Sequence, residues 1–117
     1  LLTTRIILSH QTGFPNWRGN NKDGKLSFEF EPGTKYQYSG EGYEYLRKAL
    51  EKKFKKSLEQ LASELIFNPL KMKDTRFIWD EKMDSTRFAK WHNEKGVLYE
   101  TQKNKTANAA DNLLTTV

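Results

Sequence analysis

Apolar residues recur at the three- and four-residue spacing of amphipathic helices, most clearly between residues 42 and 66. A helix is predicted from Gly42 to roughly Lys56. Its apolar face consists of Tyr43, Leu46, Leu50 and Phe54, and its opposite face consists of Lys48, Lys52, Lys55 and Lys56. A second helix is predicted to begin at once, because Ser57 and Gln60 have the spacing of a capping box. Its buried face would consist of Leu58, Leu61, Ala62, Leu65 and Ile66.

The segment before these helices predicts one short helix and a long loop. Thr3 or Thr4 can cap a helix that runs from Arg5 to Leu8, and a glycine and a proline at positions 13 and 15 would stop it. Residues 16–35 are rich in turn formers and contain one alternating apolar stretch, Leu26 to Phe30, that could anchor the loop to a core. Long loops of this kind are often functional, so this one is a candidate wall of a cleft.

The helical spacing of apolar residues stops at Asn68-Pro69, which is expected to end the second helix. Short strands are predicted at Thr75 to Trp79, at Phe88 to Trp91 and at Val97 to Tyr99, with a turn at 93–96 between the last two. The predicted fold class is therefore α+β. Residues 1–73 would form a mainly helical part with the cleft loop, and residues 74–117 would form short strands and an irregular return.

Composition narrows the class of protein. Hydrophobic residues make up 36% of the 117 residues and aromatic residues 13%, which indicates a folded chain with a thin core. The absence of cysteine excludes a disulfide scaffold, cysteine-ligated metals and thiolate catalysis. The longest apolar runs, such as Ile6 to Leu8, have three residues and are too short for a membrane span. The chain begins at Leu1 without Met and stops at Val117, so we expect it to be an internal fragment of a longer protein.

The formal net charge of +5 is concentrated in the predicted helices. Glu44 precedes Lys48 by four residues and Glu51 precedes Lys55 by four, the favourable orientation for ion pairs along a helix. These pairs favour a solvated helix face over a phosphate-binding surface, so nucleic acid is not expected as a partner. A basic interaction module that uses the lysine face is an alternative.

No self-contained catalytic motif is present: the sequence has no Ser-x-x-Lys, no Gly-x-Ser-x-Gly and no His-Glu-x-x-His. No metal ligands and no cofactor are predicted. His10 is expected to be a satisfied, partly buried histidine at a helix end, and His92 to be exposed in a turn. Tyr38 belongs to a group of tyrosines around a helix start, where the helix dipole favours the phenolate, the form that acts as a base.

Several separated stretches resemble the serine β-lactamase and penicillin-binding-protein superfamily, most closely its class C and esterase-like branch. Arg5–Pro15 resembles the Leu-Leu-(Ser/Thr)-His-(Thr)-Ser-Gly-(Leu)-Pro segment. Phe30–Tyr43 resembles the Pro-Gly-Thr segment that leads into the Tyr-x-Asn motif. Asn68–Thr75 resembles the Pro-Leu-Gly-Met-x-(Asp/His)-Thr connection, and residues 109–116 look like the small-residue stretch before a later helix. The matches occur in family order.

The resemblance implies the mostly helical subdomain of a β-lactamase-like serine hydrolase, plus short strands leading to its antiparallel sheet. By position, Tyr38 matches the catalytic tyrosine, and Gly40 stands where the substrate-contacting Asn of the motif belongs. The family's Ser-x-x-Lys would lie before Leu1 and its Lys/His-Thr-Gly strand after Val117. The chain alone would then be inactive.

The resemblance also implies a reaction through an acyl-enzyme on β-lactam, D-amino-acid peptide or ester carbonyls, with a small-molecule or peptidoglycan-type substrate. An inactive homologue that binds peptidoglycan is an alternative, since Gly40 removes the motif amide. Family members act in the periplasm or are secreted, which is the expected location. Trp79, Trp91 and Tyr99 are expected to be exposed core aromatics that favour a homo-oligomer.

Overall fold

The structure, a computed structural model, describes residues 1–88 and 90–115. The chain divides into two compact units. Unit 1 consists of Leu1–Lys55 together with Ala109–Asp111, and unit 2 consists of Lys56–Asn108 together with the described residues from Asn112 onward. In the described part of the chain, no helix is both long and apolar enough to cross a membrane.

Unit 1 begins with helix α1, Thr4–Leu8. Thr3 is its N-cap, and the side-chain oxygen of Thr3 accepts a hydrogen bond from the Ile6 N–H at 3.3 Å. Ile7 is buried, and α1 packs against helix α2, Gly40–Phe54. The predicted short helix is confirmed.

Helix α2 begins two residues earlier than predicted, because Ser39 rather than a later residue is the N-cap. It ends at Phe54, because the C-cap residue Lys55 has a left-handed φ of 56° that stops the helical hydrogen bonding. Phe54 is 51% exposed, so its predicted place in the core is wrong. The lysines of the opposite face are exposed as predicted. The acidic residues of α2 use another partner, since Arg47 binds both Glu44 at 2.8 Å and Glu51 at 2.7 Å.

The long loop of unit 1 contains a single 3₁₀ turn, Arg18–Asn20, and its alternating stretch lies against the segment that follows α1. The ring of Phe28 stacks on buried Phe14 at 4.9 Å, and the Glu29 N–H donates to the Gly13 carbonyl at 2.7 Å. Gly13 has a φ of 77°, and a Cβ there would lie 2.3 Å from the Phe30 carbonyl oxygen. Only glycine fits this approach, and the predicted anchoring of the loop is confirmed.

Unit 2 opens with helix α3, Leu58–Ala62, which has the predicted capping box between Ser57 and Gln60. The helix continues as a π-helical turn, Ser63–Phe67, in which the Asn68 N–H donates to the Ser63 carbonyl at 2.9 Å. The wider turn changes which side chains face inward. Phe67 is buried, while Leu65 is 72% exposed and Ile66 is exposed as well, so the predicted buried face is wrong at those two positions.

The remainder of unit 2 is irregular, and its described residues contain two isolated antiparallel bridges in place of the predicted strands. The bridges join Arg76 to Leu114 and His92 to Leu98. The turn predicted at 93–96 is confirmed, because the Gly96 N–H donates to the Asn93 carbonyl at 3.0 Å. The part of the second predicted strand at position 89 lies outside the described residues. The helical half of the predicted fold class is therefore present, and short strands leading to a sheet are not shown.

The exposed aromatics expected in this half of the chain are only partly found. Trp91 and Tyr99 are exposed, but Trp79 is buried and its backbone N–H donates to the Asn104 carbonyl at 2.8 Å. The expectation for Trp79 is wrong, and the ammonium group of Lys103, distant in sequence, lies over its ring at 5.3 Å.

Candidate active site

Tyr38 directly precedes the N-cap of α2, and the segment around it is fixed from two sides. The Ser39 side-chain oxygen accepts the Gly42 N–H at 3.0 Å and donates to the Pro15 carbonyl at 2.8 Å. Ser39 is buried, so these two hydrogen bonds are shielded from water. They hold the start of α2 against the loop after α1 and thereby set the direction in which Tyr38 leaves the backbone.

The ring of Tyr38 stacks on the imidazole of His10, with centroids 4.5 Å apart and an angle of 28° between the planes. The imidazole also contacts Tyr43 at 5.0 Å and meets Tyr36 edge-on at 5.9 Å. His10 is partly buried and its Nδ1 accepts a hydrogen bond from the Ser39 N–H at 3.1 Å. The prediction of a satisfied histidine at a helix end is confirmed.

These rings line a pocket of about 200 Å³ within unit 1, completed by two alanines of the 109–111 segment. Its lining consists of His10, Tyr38, Tyr43, Ala109 and Ala110. Tyr38 is 53% exposed, so its phenol is accessible to a small molecule. A phenol and an imidazole on one wall can accept, donate and relay protons, which is the chemistry of acid–base catalysis.

The alanine wall is attached to α2 through a carboxylate. The Ala109 N–H donates to Glu44 Oε1 at 2.8 Å, and the same carboxylate is bound by Arg47. Burial raises the pKa of Glu44, but the hydrogen bonds from Arg47 and from the Ala109 N–H outweigh it, so the net pKa lies below the ordinary value. Glu44 is therefore ionised at neutral pH and holds the wall in place as an anion.

Gly40, the second residue singled out by sequence, is covered by an indole ring. A Cβ at this position would lie 2.6 Å from Cζ2 and 2.7 Å from Cη2 of Trp17. The Gly40 N–H donates to Asn16 Oδ1 at 3.0 Å, which ties the first turn of α2 to the same loop. The space where a motif side chain would begin is thus taken by Trp17.

Glu41, the next residue, carries a buried charge paired across the same junction. Arg18 donates to its carboxylate from the backbone N–H and from Nε, both at 2.9 Å, and from Nη2 at 2.7 Å. The hydrogen bond from the Arg18 side chain lowers the pKa of Glu41 below its ordinary value, against the opposing effect of burial. The pair locks the loop that bears Trp17 onto the helix start.

Sequence reasoning named Tyr38 and Gly40 but missed the residues that arrange them. No local sequence pattern identifies these residues, because their partners are 23 to 65 residues away in sequence. They are Trp17, the Arg18–Glu41 pair and the alanine wall. The catalytic role of Tyr38 and the substrate-contacting position of Gly40 stay predictions. Among the residues that the structure describes, no three His, Cys, Asp or Glu side chains gather as a metal site requires.

The fold is similar to those of several solved structures. The octameric penicillin-binding protein homologue from Pyrococcus abyssi superposes with a TM-score of 0.72 at 20% identity, over 98% of this chain and 32% of that one. The D-amino acid amidase from Ochrobactrum anthropi SV3, complexed with L-phenylalanine, gives 0.71 at 24% identity over 96% and 38%. The chain therefore spans about a third of the length of these relatives.

Comparison of the sequence with known protein families identifies the family as well as the fold. The chain matches the Beta-lactamase family over residues 2–116 and belongs to that family. The resemblance to the β-lactamase and penicillin-binding-protein superfamily is confirmed. A comparison with curated proteins found no match.

Proposed function

We propose that this chain is part of a longer serine hydrolase of the β-lactamase type and that Tyr38 is its catalytic tyrosine. One observation carries the proposal: the half-exposed ring of Tyr38 lies on the wall of an open pocket, at a helix start held by buried Ser39. Family membership supports the reaction class. The nucleophilic serine and its lysine would come from a segment before Leu1, and the pocket strand from a segment after Val117.

In the proposed reaction, the serine oxygen attacks a substrate carbonyl and forms an acyl-enzyme, which water then hydrolyses. The Tyr38 oxygen accepts the proton of the attacking hydroxyl and passes it to the leaving group. It then takes a proton from the attacking water and returns it to the serine.

The substrate class is an amide, lactam or ester carbonyl compound, including β-lactams, D-amino-acid peptides and simple esters. Gly40 offers no amide to a substrate, and the indole of Trp17 covers that position with an apolar surface. This arrangement favours substrates that do not need a hydrogen bond there.

The test uses the full-length parent protein with nitrocefin, a D-amino-acid amide and a short-chain p-nitrophenyl ester, together with labelling by a fluorescent penicillin. Tyr38→Phe is expected to lower kcat by about 10²- to 10⁴-fold, the usual contribution of a positioned acid–base group. Tyr45→Phe is the matched control, since the Tyr45 ring packs on Phe14 and does not line the pocket. It should leave kcat unchanged.

Unchanged turnover by Tyr38→Phe would refute its role. Labelling or turnover by residues 1–117 alone would refute the placement of the nucleophile outside the chain. Peptidoglycan binding by a parent protein that shows no acylation and no turnover would favour the inactive homologue.

The remaining assignments follow from the same proposal. The parent acts in the periplasm or after secretion, where peptidoglycan-type substrates are found, and signal-peptide cleavage of the full-length protein would test this. Self-association through exposed apolar side chains such as Leu65 and Trp91 would be seen by light scattering. Salt-dependent binding to DNA would instead support the basic interaction module.

A further inference from the structure

His10 occupies a constrained backbone position beside the catalytic tyrosine proposed above. Its φ is 55°, in the left-handed region that few residues other than Gly, Asn, Asp and His adopt readily. The His10 N–H donates to the Ile7 carbonyl at 3.1 Å, and the His10 carbonyl accepts the Gln37 N–H at 2.8 Å. The backbone is thus fixed both to α1 and to the segment that leads to Tyr38.

The side chain of His10 makes two contacts with the motif, and each acts on a different part of it. Nδ1 binds the backbone N–H of Ser39, the residue directly after Tyr38, and the imidazole plane lies against the Tyr38 ring. The hydrogen bond restrains the backbone of the motif, while the stacked ring restrains the rotation of the phenol. Together they define where the phenolic oxygen points.

We propose that His10 is the positioning residue for Tyr38 and that it acts only while Nδ1 is unprotonated. This inference rests on the function proposed above. An N–H donor needs a lone pair on its partner, and an imidazolium ion has a proton on both nitrogens. Protonation of His10 therefore replaces the Ser39 hydrogen bond with two opposed donors and releases the backbone after Tyr38.

The side chains around His10 are three tyrosine rings and the alanine wall of the pocket. The titratable groups whose rings face it are Tyr36, Tyr38 and Tyr43. The Tyr43 hydroxyl is turned away to donate to the Leu8 carbonyl at 3.2 Å. The nearest wall beyond the rings is Ala109–Ala110, behind which the Glu44 carboxylate is neutralised by Arg47.

Two substitutions separate the two contacts. His10→Asn retains a short side-chain acceptor and tolerates the left-handed backbone, but removes the ring. His10→Phe retains a ring that can stack on Tyr38, but removes the acceptor. Each is expected to lower kcat of the full-length hydrolase by roughly 10- to 100-fold with little change in KM, the size of effect that misplacement of a reacting group produces. Phe is disfavoured at this φ, so thermal unfolding of each variant is measured first, and His10→Asn keeps the test usable if His10→Phe does not fold.

The pH profile and a double substitution distinguish positioning from simple structural support. The acid decline of kcat that arises from protonation of His10 should disappear in His10→Asn, because an amide acceptor does not titrate. Adding His10→Asn to Tyr38→Phe should cause no further loss, because the group to be positioned is gone. Unchanged kcat in a folded His10→Asn protein, an unchanged acid decline, or an equal loss in the Tyr38→Phe background would each overturn the inference. If Tyr38→Phe itself has no effect, the proposed function fails first.

Discussion

Gly40 lies against the indole of Trp17. Whether Gly40→Ala raises or lowers the free energy of unfolding is therefore expected to depend on the presence of Trp17. Gly40 is the first residue of α2 and does not have a positive φ, so its backbone accepts an L-residue. Gly→Ala in such a helical position normally stabilises a protein by about 0.5–1 kcal/mol. Here the new Cβ would lie 2.6 Å from a rigid indole, far inside an ordinary carbon–carbon contact.

Overpacking of this kind costs about 1–3 kcal/mol, more than the gain in helix propensity. Gly40→Ala is therefore expected to destabilise the protein by about 0.5–2 kcal/mol. In a Trp17→Ala background the obstacle is gone, and the same substitution should stabilise by about 0.5–1 kcal/mol. Gly40→Asn should follow the same pattern, with folding tolerated only when Trp17 is replaced.

The assay is urea denaturation of the protein, of both single variants and of the double variant, followed by circular dichroism. Gly19→Ala is the matched control, because a Cβ at Gly19 meets no atom within 4 Å and its φ is not positive. An effect of Gly40→Ala that has the same sign and size with and without Trp17 would show that the indole does not occupy this space, and the reasoning would be refuted.

Two further predictions concern charge and register. Because the pKa of Glu41 is lowered in the folded protein, the stability from its pair with Arg18 is complete above the ordinary value of 4.5 and is lost as the pH falls through the lower folded pKa. Glu41→Gln should remove this acid dependence and lower the free energy of unfolding at pH 7 by about 1 kcal/mol, a small value because the Arg18 side chain is 42% exposed. Thermal unfolding measured across acid pH checks this, and an unaltered pH dependence in the variant would contradict it. Phe67→Ala should destabilise unit 2 by about 3 kcal/mol and Leu65→Ala by less than about 0.5 kcal/mol, and the reverse order in denaturation would contradict the π-helical register.

Local capping chemistry could be predicted from sequence because each cap involves residues within three positions of one another. Thr3 caps α1, and the Ser57–Gln60 box begins α3, as their spacing indicates. The start of α2 was misplaced by two residues because the pair of glycines at its start is unfavourable in a helix interior. Ser39 overrides that preference with two buried hydrogen bonds, one of them to distant Pro15.

The register of the second helix and the strands could not be predicted in the same way. A regular 3.6-residue period places Leu65 and Ile66 on the buried face, but the π-helical turn adds a residue and brings Phe67 inward instead. The apolar runs around Trp79 and Leu98 have the composition of strands. A strand exists only with a partner, and the described residues supply single bridges.

The candidate site, too, could be predicted from the sequence only in part. The motif around Tyr38 is contiguous and could be found by resemblance, whereas Trp17 could not be assigned to it. Trp17 reaches Gly40 only because Arg18 is bound to Glu41 and Asn16 to the Gly40 N–H. The sequence predicts residues 16–18 only as part of the long loop that is a candidate cleft wall, and their contacts with residues 23 or 24 positions away are seen only in the structure.

The hydrogen bond between Glu44 and Ala109 has a consequence for the order in which the molecule folds. The two residues are 65 positions apart, and the stretch between them belongs mostly to unit 2. Closing so long a loop is entropically costly, so the bond is expected to form after the transition state, with a φ-value near zero. During synthesis, Ala109 leaves the ribosome roughly 3–10 s after Lys55 at ordinary elongation rates. Throughout that interval the residues that supply the aromatic side of the pocket have been synthesised, whereas Ala109 and Ala110 on its opposite side have not. The pocket is therefore among the last features that the nascent chain acquires.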